Sequence, residues 1–143
     1  MLKENDMIVL RHLRENSRQS LAKLSKKTKM PISTLFDKVN KLEKEVIKKH
    51  VSLLDFTNLG YGVLVNFLIK SSSKQEIKDF LYNNPSVNSF CTVSPSFDFY
   101  AECIFKDLKE MDTFKESLLK YKLIELNETF VVDTLKKEAF CCK

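Results

Sequence analysis

RQSLAKLSKKTKMPISTLFDKVNKLEK, Arg18 to Lys44, is the stretch whose reading decides the fold. A short helix from about Ser20 turns Leu21, Ala22 and Leu24 inward, and Pro31 opens a second helix. Proline is tolerated in a first turn, where its missing N–H has no intrahelical partner to lose. From there Leu35, Val39 and Leu42 recur at i, i+4 and i+7 and define a buried stripe. Ser33, Thr34, Asp37, Lys38, Lys41 and Lys44 spread over the other side. Only Lys27-Thr28-Lys29-Met30 separates the two helices, and Ala22 is small enough to let them approach closely. Such a pair fits a helix-turn-helix whose second helix enters the major groove of DNA. An ordinary solvated helix has the same pattern, so this stretch taken alone leaves the two readings even.

Its surroundings tip the balance. Upstream, residues 3–15 gather Met7, Ile8, Val9, Leu10 and Leu13 on one side of an amphipathic helix, and Asn16-Ser17-Arg18-Gln19 breaks it. Downstream, Val46 to Asp55 changes to an extended, β-branched pattern, a wing with Lys48, Lys49 and His50 toward a DNA backbone. Residues 1–50 hold 13 Lys+Arg against 6 Asp+Glu, a net of +7, whereas residues 51–143 carry a net of −2. A basic first third on a mildly acidic chain points to a polyanionic partner at one end, double-stranded DNA in this reading. Within it, Ser33, Thr34 and Asp37 are the candidates for base edges, and Arg18, Lys38, Lys41, Lys44, Lys48 and Lys49 for phosphates.

The remaining two thirds read as alternating strands and helices. A strand follows Gly60, apolar on both faces; residues 73–83 form a helix on a Ser73 cap; Val87–Val93 and Phe99–Phe105 form a hairpin through Ser94-Pro95-Ser96-Phe97-Asp98. Asp107 caps a helix over 108–121, and Ile124–Leu135 is the last strand. The order β-α-β-β-α-β defines a ferredoxin-like sandwich, with both helices on one face of an antiparallel sheet. The opposite face keeps large apolar residues, which predicts a homodimer paired through the sheet. The fold class is therefore α+β: a winged helix-turn-helix over 1–55 and a ferredoxin-like dimerisation domain over 60–137.

Other classes are disfavoured. With two Gly and three Pro there is little room for low-complexity linkers. The apolar run from Gly60 to Ile69, broken by Asn66, is too short to span a bilayer, so no membrane partner is expected. An amphipathic N-terminus containing acids is no signal peptide, and a cytoplasmic location is expected. Cys91, Cys103, Cys141 and Cys142 form no CxxC pair and no metal-type spacing with His12 or His50. They are read as reduced, with Cys91 and Cys103 as small core hydrophobes and no metal or cofactor implied. No histidine or arginine lies beyond His50, and no nucleophile–base or paired-carboxylate pattern stands out, so no enzyme is predicted.

The chain resembles the Lrp/AsnC (feast/famine) family of transcriptional regulators from about Asp6 to Leu135. The similarity is carried by Asn16-Ser17-Arg18-Gln19-Ser20, Leu21-Ala22, Thr34-Leu35, Lys38-Val39, Lys41-Leu42-Glu43, Val46-Ile47, Leu59-Gly60-Tyr61, Pro85-Ser86-Val87, Phe97-Asp98 and Asn127-Glu128-Thr129. None is specific alone; their order and spacing carry the match. The resemblance implies transcription regulation by a DNA-binding dimer that assembles further into tetramers or octamers. It also implies an amino acid or related metabolite bound near the hairpin, which makes Ser94, Ser96 and Asp98 the effector candidates. Three positions depart from the family pattern. Lys29-Met30-Pro31 stands for Gly-hydrophobe-Ser, no glycine follows Glu45, and Pro95 replaces the hairpin glycine. Proline there fixes φ and removes a donor, which favours a second reading, an effector-independent chromatin-architectural protein.

Overall fold

Local sequence decides where each helix begins and ends. In the computed structural model, which describes residues 1–142, α1 spans Glu4–Glu15, α2 Leu21–Thr28 and α3 Ile32–Glu45. Ser20 caps α2 by accepting from the Lys23 N–H at 3.2 Å, and Gln19 Nε2 donates to the His12 carbonyl at 2.6 Å, fixing the α1–α2 turn. Val9, Leu13, Leu24, Leu35 and Leu42 interlock as the core of this first unit. Leu21 is only half-buried and Ala22 is exposed, so the expected close approach at Ala22 does not occur. Leu24 makes the contact instead.

α2 ends on Lys29 at φ 58°, ψ 24°, left-handed backbone on a side chain that has a Cβ. An L-residue there costs about 1–2 kcal/mol, part of which glycine would return in unfolded-state entropy. Lys29→Gly is therefore expected to stabilise the unit by about 0.5–1 kcal/mol. The check is a rise of a few degrees in melting temperature. α3 has no such residue at its end. Val46, at φ −130°, and Ile47 both donate to the Leu42 carbonyl, at 2.9 and 2.8 Å, and close the helix without glycine.

The expected wing strand is not a strand: residues 47–55 pair with no ladder. Lys48, Lys49, His50 and Ser52, interrupted only by Val51, leave too little apolar surface to hold an edge. His50 anchors the segment to α3 through Glu43 at 3.1 Å. The chain returns to this unit after Leu135, where Arg14 donates to the carbonyls of Glu138 at 2.9 Å and Phe140 at 3.2 Å.

Residues 54–134 form the second unit: β1 (Val63–Ser71), α4 (Lys74–Asn83), β2 (Val87–Thr92), β3 (Phe99–Phe105), α5 (Leu108–Leu118) and β4 (Leu123–Phe130). The sheet order is β2-β3-β1-β4, every pair antiparallel, as βαββαβ requires. Val65, Phe67 and Ile69 of central β1 are fully buried beneath α4 and α5. Phe114 of α5 is the hub, its ring 5.3–5.5 Å from those of Phe67, Phe80 and Phe105. On the opposite face Leu64, Asn66 and Leu68 stand in register with Ile104, Glu102 and Tyr100.

Several local expectations need correction. Ser73 makes no side-chain cap; the Ser71 hydroxyl accepts from the Ser73 N–H at 2.9 Å instead. α5 stops at Leu118, and β4 leaves the ladder after Phe130. Cys91 is exposed on the helix-free face opposite Tyr100, because β2 alternates the other way from the expected pattern. Cys103 is buried as expected, and burial pushes its thiol pKa up to about 12. Asp107 does cap α5, accepting from the Glu110 N–H at 2.8 Å.

Candidate nucleic-acid interface

The interface candidate is the surface of α3 that the first unit leaves uncovered. Helical spacing of about 100° per residue sets Ser33, Asp37 and Lys44 opposite the Leu35–Leu42 seam, and all three are exposed. Thr34 is exposed on one flank. Arg18 is exposed in the α1–α2 turn, and Lys48 and Lys49 in the segment after α3. Lys23, Lys26 and Lys27 add exposed cations along α2, a second basic row that the sequence reading left out.

Two expected phosphate contacts are employed elsewhere. Asp6, 2% exposed, lies under the middle of α3. Lys38 Nζ reaches its Oδ1 at 2.6 Å, Lys41 Nζ its Oδ2 at 3.3 Å, and the Lys3 backbone N–H donates to Oδ2 at 3.1 Å. Lys38 in the first place, then the Lys3 N–H and Lys41, hold the Asp6 carboxyl well below the usual carboxylate range, against the opposing effect of burial. The Lys38 ammonium therefore ties α3 to the first turn of α1 rather than facing outward. Lys41 is shared between Asp6 and Glu45, the latter at 4.0 Å. Asp6 carried no mark in the sequence beyond its place in a first turn, where acids are common. Its burial depends on contacts 32 and 35 residues away.

α3 also exposes residues that sequence reasoning missed. Ile32 and Phe36 are 52% and 55% exposed, one turn apart. The helical wheel would have found Phe36, which sits about 100° away from Leu35 and outside the buried stripe.

The effector candidates fall in the β2–β3 loop of the second unit. Ser94 and Ser96 are exposed. Asp98 is not a free acceptor: its Oδ1 pairs with Lys74 at 2.7 Å and its Oδ2 accepts from the Ser71 N–H at 3.0 Å. Lys74 and that N–H lower its pKa. Asp98 thus fastens the hairpin to the end of β1. A shallow cleft of about 240 Å³ lies elsewhere, between Asn84-Pro85-Ser86 and Glu110, Thr113, Phe114 and Ser117 of α5. Among the described residues no His, Cys, Asp and Glu cluster is placed to hold a metal ion, and no helix is long and apolar enough to cross a membrane.

Residues 2–45 match the family of winged helix-turn-helix DNA-binding domains. The transcriptional regulator AzlB of Bacillus subtilis is 31% identical over 144 residues, spanning 96% of this chain and 92% of that protein. The HTH-type transcriptional regulator PH0140 of Pyrococcus horikoshii is 29% identical over 140 residues, or 95% and 89% of the two chains. Among solved structures, the NMB0573/L-Met complex of Neisseria meningitidis superposes with a TM-score of 0.88 at 19% identity, over 96% of this chain and 94% of that one. An AsnC family transcriptional regulator from Agrobacterium tumefaciens gives 0.85 at 24% identity, over 95% and 94%. Fold and exposed helix define a DNA-binding transcriptional regulator, a helix-turn-helix unit joined to a βαββαβ sheet. The chain belongs to the Lrp/AsnC family.

Proposed function

We propose that this regulator binds double-stranded DNA as a homodimer, site-specifically, and answers to an amino acid or a related small metabolite. The observation that carries the DNA reading is the outward surface of α3, with Ser33, Asp37 and Lys44 exposed beside a first third of net charge +7. In this reading Ser33, Thr34 and Asp37 read base edges; Arg18, Lys44, Lys48 and Lys49 neutralise phosphates; Lys38 and Lys41 hold the helix on Asp6. Residues 1–55 read DNA, and the sheet within residues 60–137 pairs two copies. The effector class is carried over from the meningococcal neighbour, whose structure is an L-Met complex. It would reach Ser94 and Ser96, with Asp98 holding the loop in place. The protein works where the chromosome is, in the cytoplasm, and regulates rather than catalyses.

The test is a random-pool selection for bound DNA, followed by fluorescence anisotropy across a salt series with and without amino acids. Four phosphate-binding cations per subunit, about eight per dimer, give a log–log salt slope near −7, at about −0.9 per phosphate. A slope near −11 would mean that Lys38 and Lys41 also reach phosphates. Equal affinity for selected and random DNA would replace the specific regulator with the architectural reading. An unchanged curve with every amino acid would remove the effector.

A further inference from the structure

Ile32 and Phe36 lie four residues apart on one stripe of α3. The core of the first unit and the half-buried residues packed on it include neither. A single exposed apolar residue is unremarkable on a protein surface. Here two share a stripe on the helix that carries Ser33, Asp37 and Lys44, in the part of the chain with net charge +7. A polyanion therefore approaches this surface, and a phenyl ring has nothing to offer its phosphates. What DNA presents to such a ring is the floor of the major groove. There thymine alone carries an apolar group, its C5-methyl, and phenylalanine is among the side chains that contact it.

We propose that Phe36, backed by Ile32, is a specificity-determining residue that recognises a thymine through its C5-methyl group. The proposal rests on α3 being the recognition helix and adds which base it selects. Asp37, next along the helix, accepts from a cytosine amino group. The two adjacent side chains together read one feature of each pyrimidine, and the half-site contains a thymine beside or one step from a cytosine. Ile32 limits the ring's freedom from the preceding turn. Phe36→Leu keeps part of the methyl contact and Phe36→Ala removes it.

The experiment uses the full chain and the DNA recovered by selection. Each thymine is replaced in turn by deoxyuridine, which deletes the methyl group and leaves every hydrogen-bonding group in place. Burying one methyl-sized group is worth about a fourfold change in affinity, and two half-sites together about fifteenfold. One thymine per half-site is expected to show this loss with the natural protein. Phe36→Ala is expected to bind the thymine and deoxyuridine forms equally, with Phe36→Leu between. Because Phe36 is largely exposed, circular-dichroism melting is expected to stay within a degree or two, which separates recognition from folding. A deoxyuridine scan without effect, or one that persists in Phe36→Ala, overturns the proposal. So does a Phe36→Ala change in oligomeric state with the scan unaltered, which would assign the stripe to a protein contact. Failure of the underlying reading looks different: selection then yields no preferred sequence at all, and the proposal falls with it.

Discussion

Asp6→Asn is expected to destabilise the helix-turn-helix unit by about 2–3 kcal/mol at neutral pH, the scale of hydrogen bonds to charged groups. Lys38, 18% exposed at its side chain, and Lys41, 39% exposed, lose the anion they share. Denaturant titration followed by amide exchange in α1 and α3 measures the loss. The pH dependence has a definite sign. The folded-state pKa of Asp6 lies well below that of an ordinary aspartate, so folding favours the ionised form. Its contribution is whole above the unfolded pKa and disappears as pH falls through the folded one. The stability difference between the natural chain and Asp6→Asn should therefore be constant from pH 7 to about 5 and shrink steadily below about 4. The DNA readout moves in the opposite sense. Freeing two ammonium groups per subunit for phosphates steepens the salt slope by about 1.8 per subunit at −0.9 per contact. A variant that is merely misfolded would lose affinity and slope together; one with an unchanged slope would show that Asp6 withholds nothing from DNA.

How far the sequence carried these conclusions depended on whether the determining contacts were local. The three helices of the first unit, the order βαββαβ and the span of β3 follow from periodicity, caps and turns, each encoded within a few residues. β1 was legible as a strand because its residues are apolar on both faces, Val65, Phe67 and Ile69 alternating with Leu64 and Leu68. Asp6 was not legible, since its lysine partners lie 32 and 35 residues away along the chain. The same reason hid the fastening of Asp98 to Lys74 and Ser71. Both aspartates hold elements together. The wing segment pairs with no strand for another reason: β-branched residues raise strand propensity, but a strand needs a partner edge, and nothing local to residues 47–55 supplies one. Ala22 misled through size, which permits close approach without requiring it. Lys29 was marked as a departure from the family glycine, and the left-handed backbone it adopts shows that the connection kept its geometry while losing the residue that suits it.

Leu68→Lys is expected to split the proposed homodimer into monomers and to lower affinity for a two-half-site operator by about a hundredfold or more, because linked binding of two modules multiplies their affinities. Leu68 sits on the sheet face opposite α4 and α5, between Tyr100 of β3 and Asn127 of β4. Leu64, half-buried like Leu68, extends the apolar surface along β1. At its centre Asn66 Oδ1 is buried without a hydrogen-bond partner among the described residues. A buried acceptor left unsatisfied costs about 1–3 kcal/mol. A donor from the facing copy would satisfy it, and the two-fold axis of an isologous pair supplies each copy with the same one. Placing a lysine beside it replaces apolar surface with a charge that pairing must desolvate, even with Glu102 and Glu125 each one register pair away on the same face. The opposite face of β1 carries the core, with Val65, Phe67 and Ile69 fully buried, and Leu68 is only half-buried. The monomeric sheet should accordingly keep its stability to within about 1 kcal/mol. Sedimentation velocity reads the assembly, and anisotropy on one-half-site and two-half-site DNA reads the linkage. Unchanged affinity for the single half-site with loss of the bonus for the second is the result that places the pairing on this face. A Leu68→Lys chain that sediments as a dimer and retains that bonus would move the interface elsewhere and leave Asn66 without its explanation.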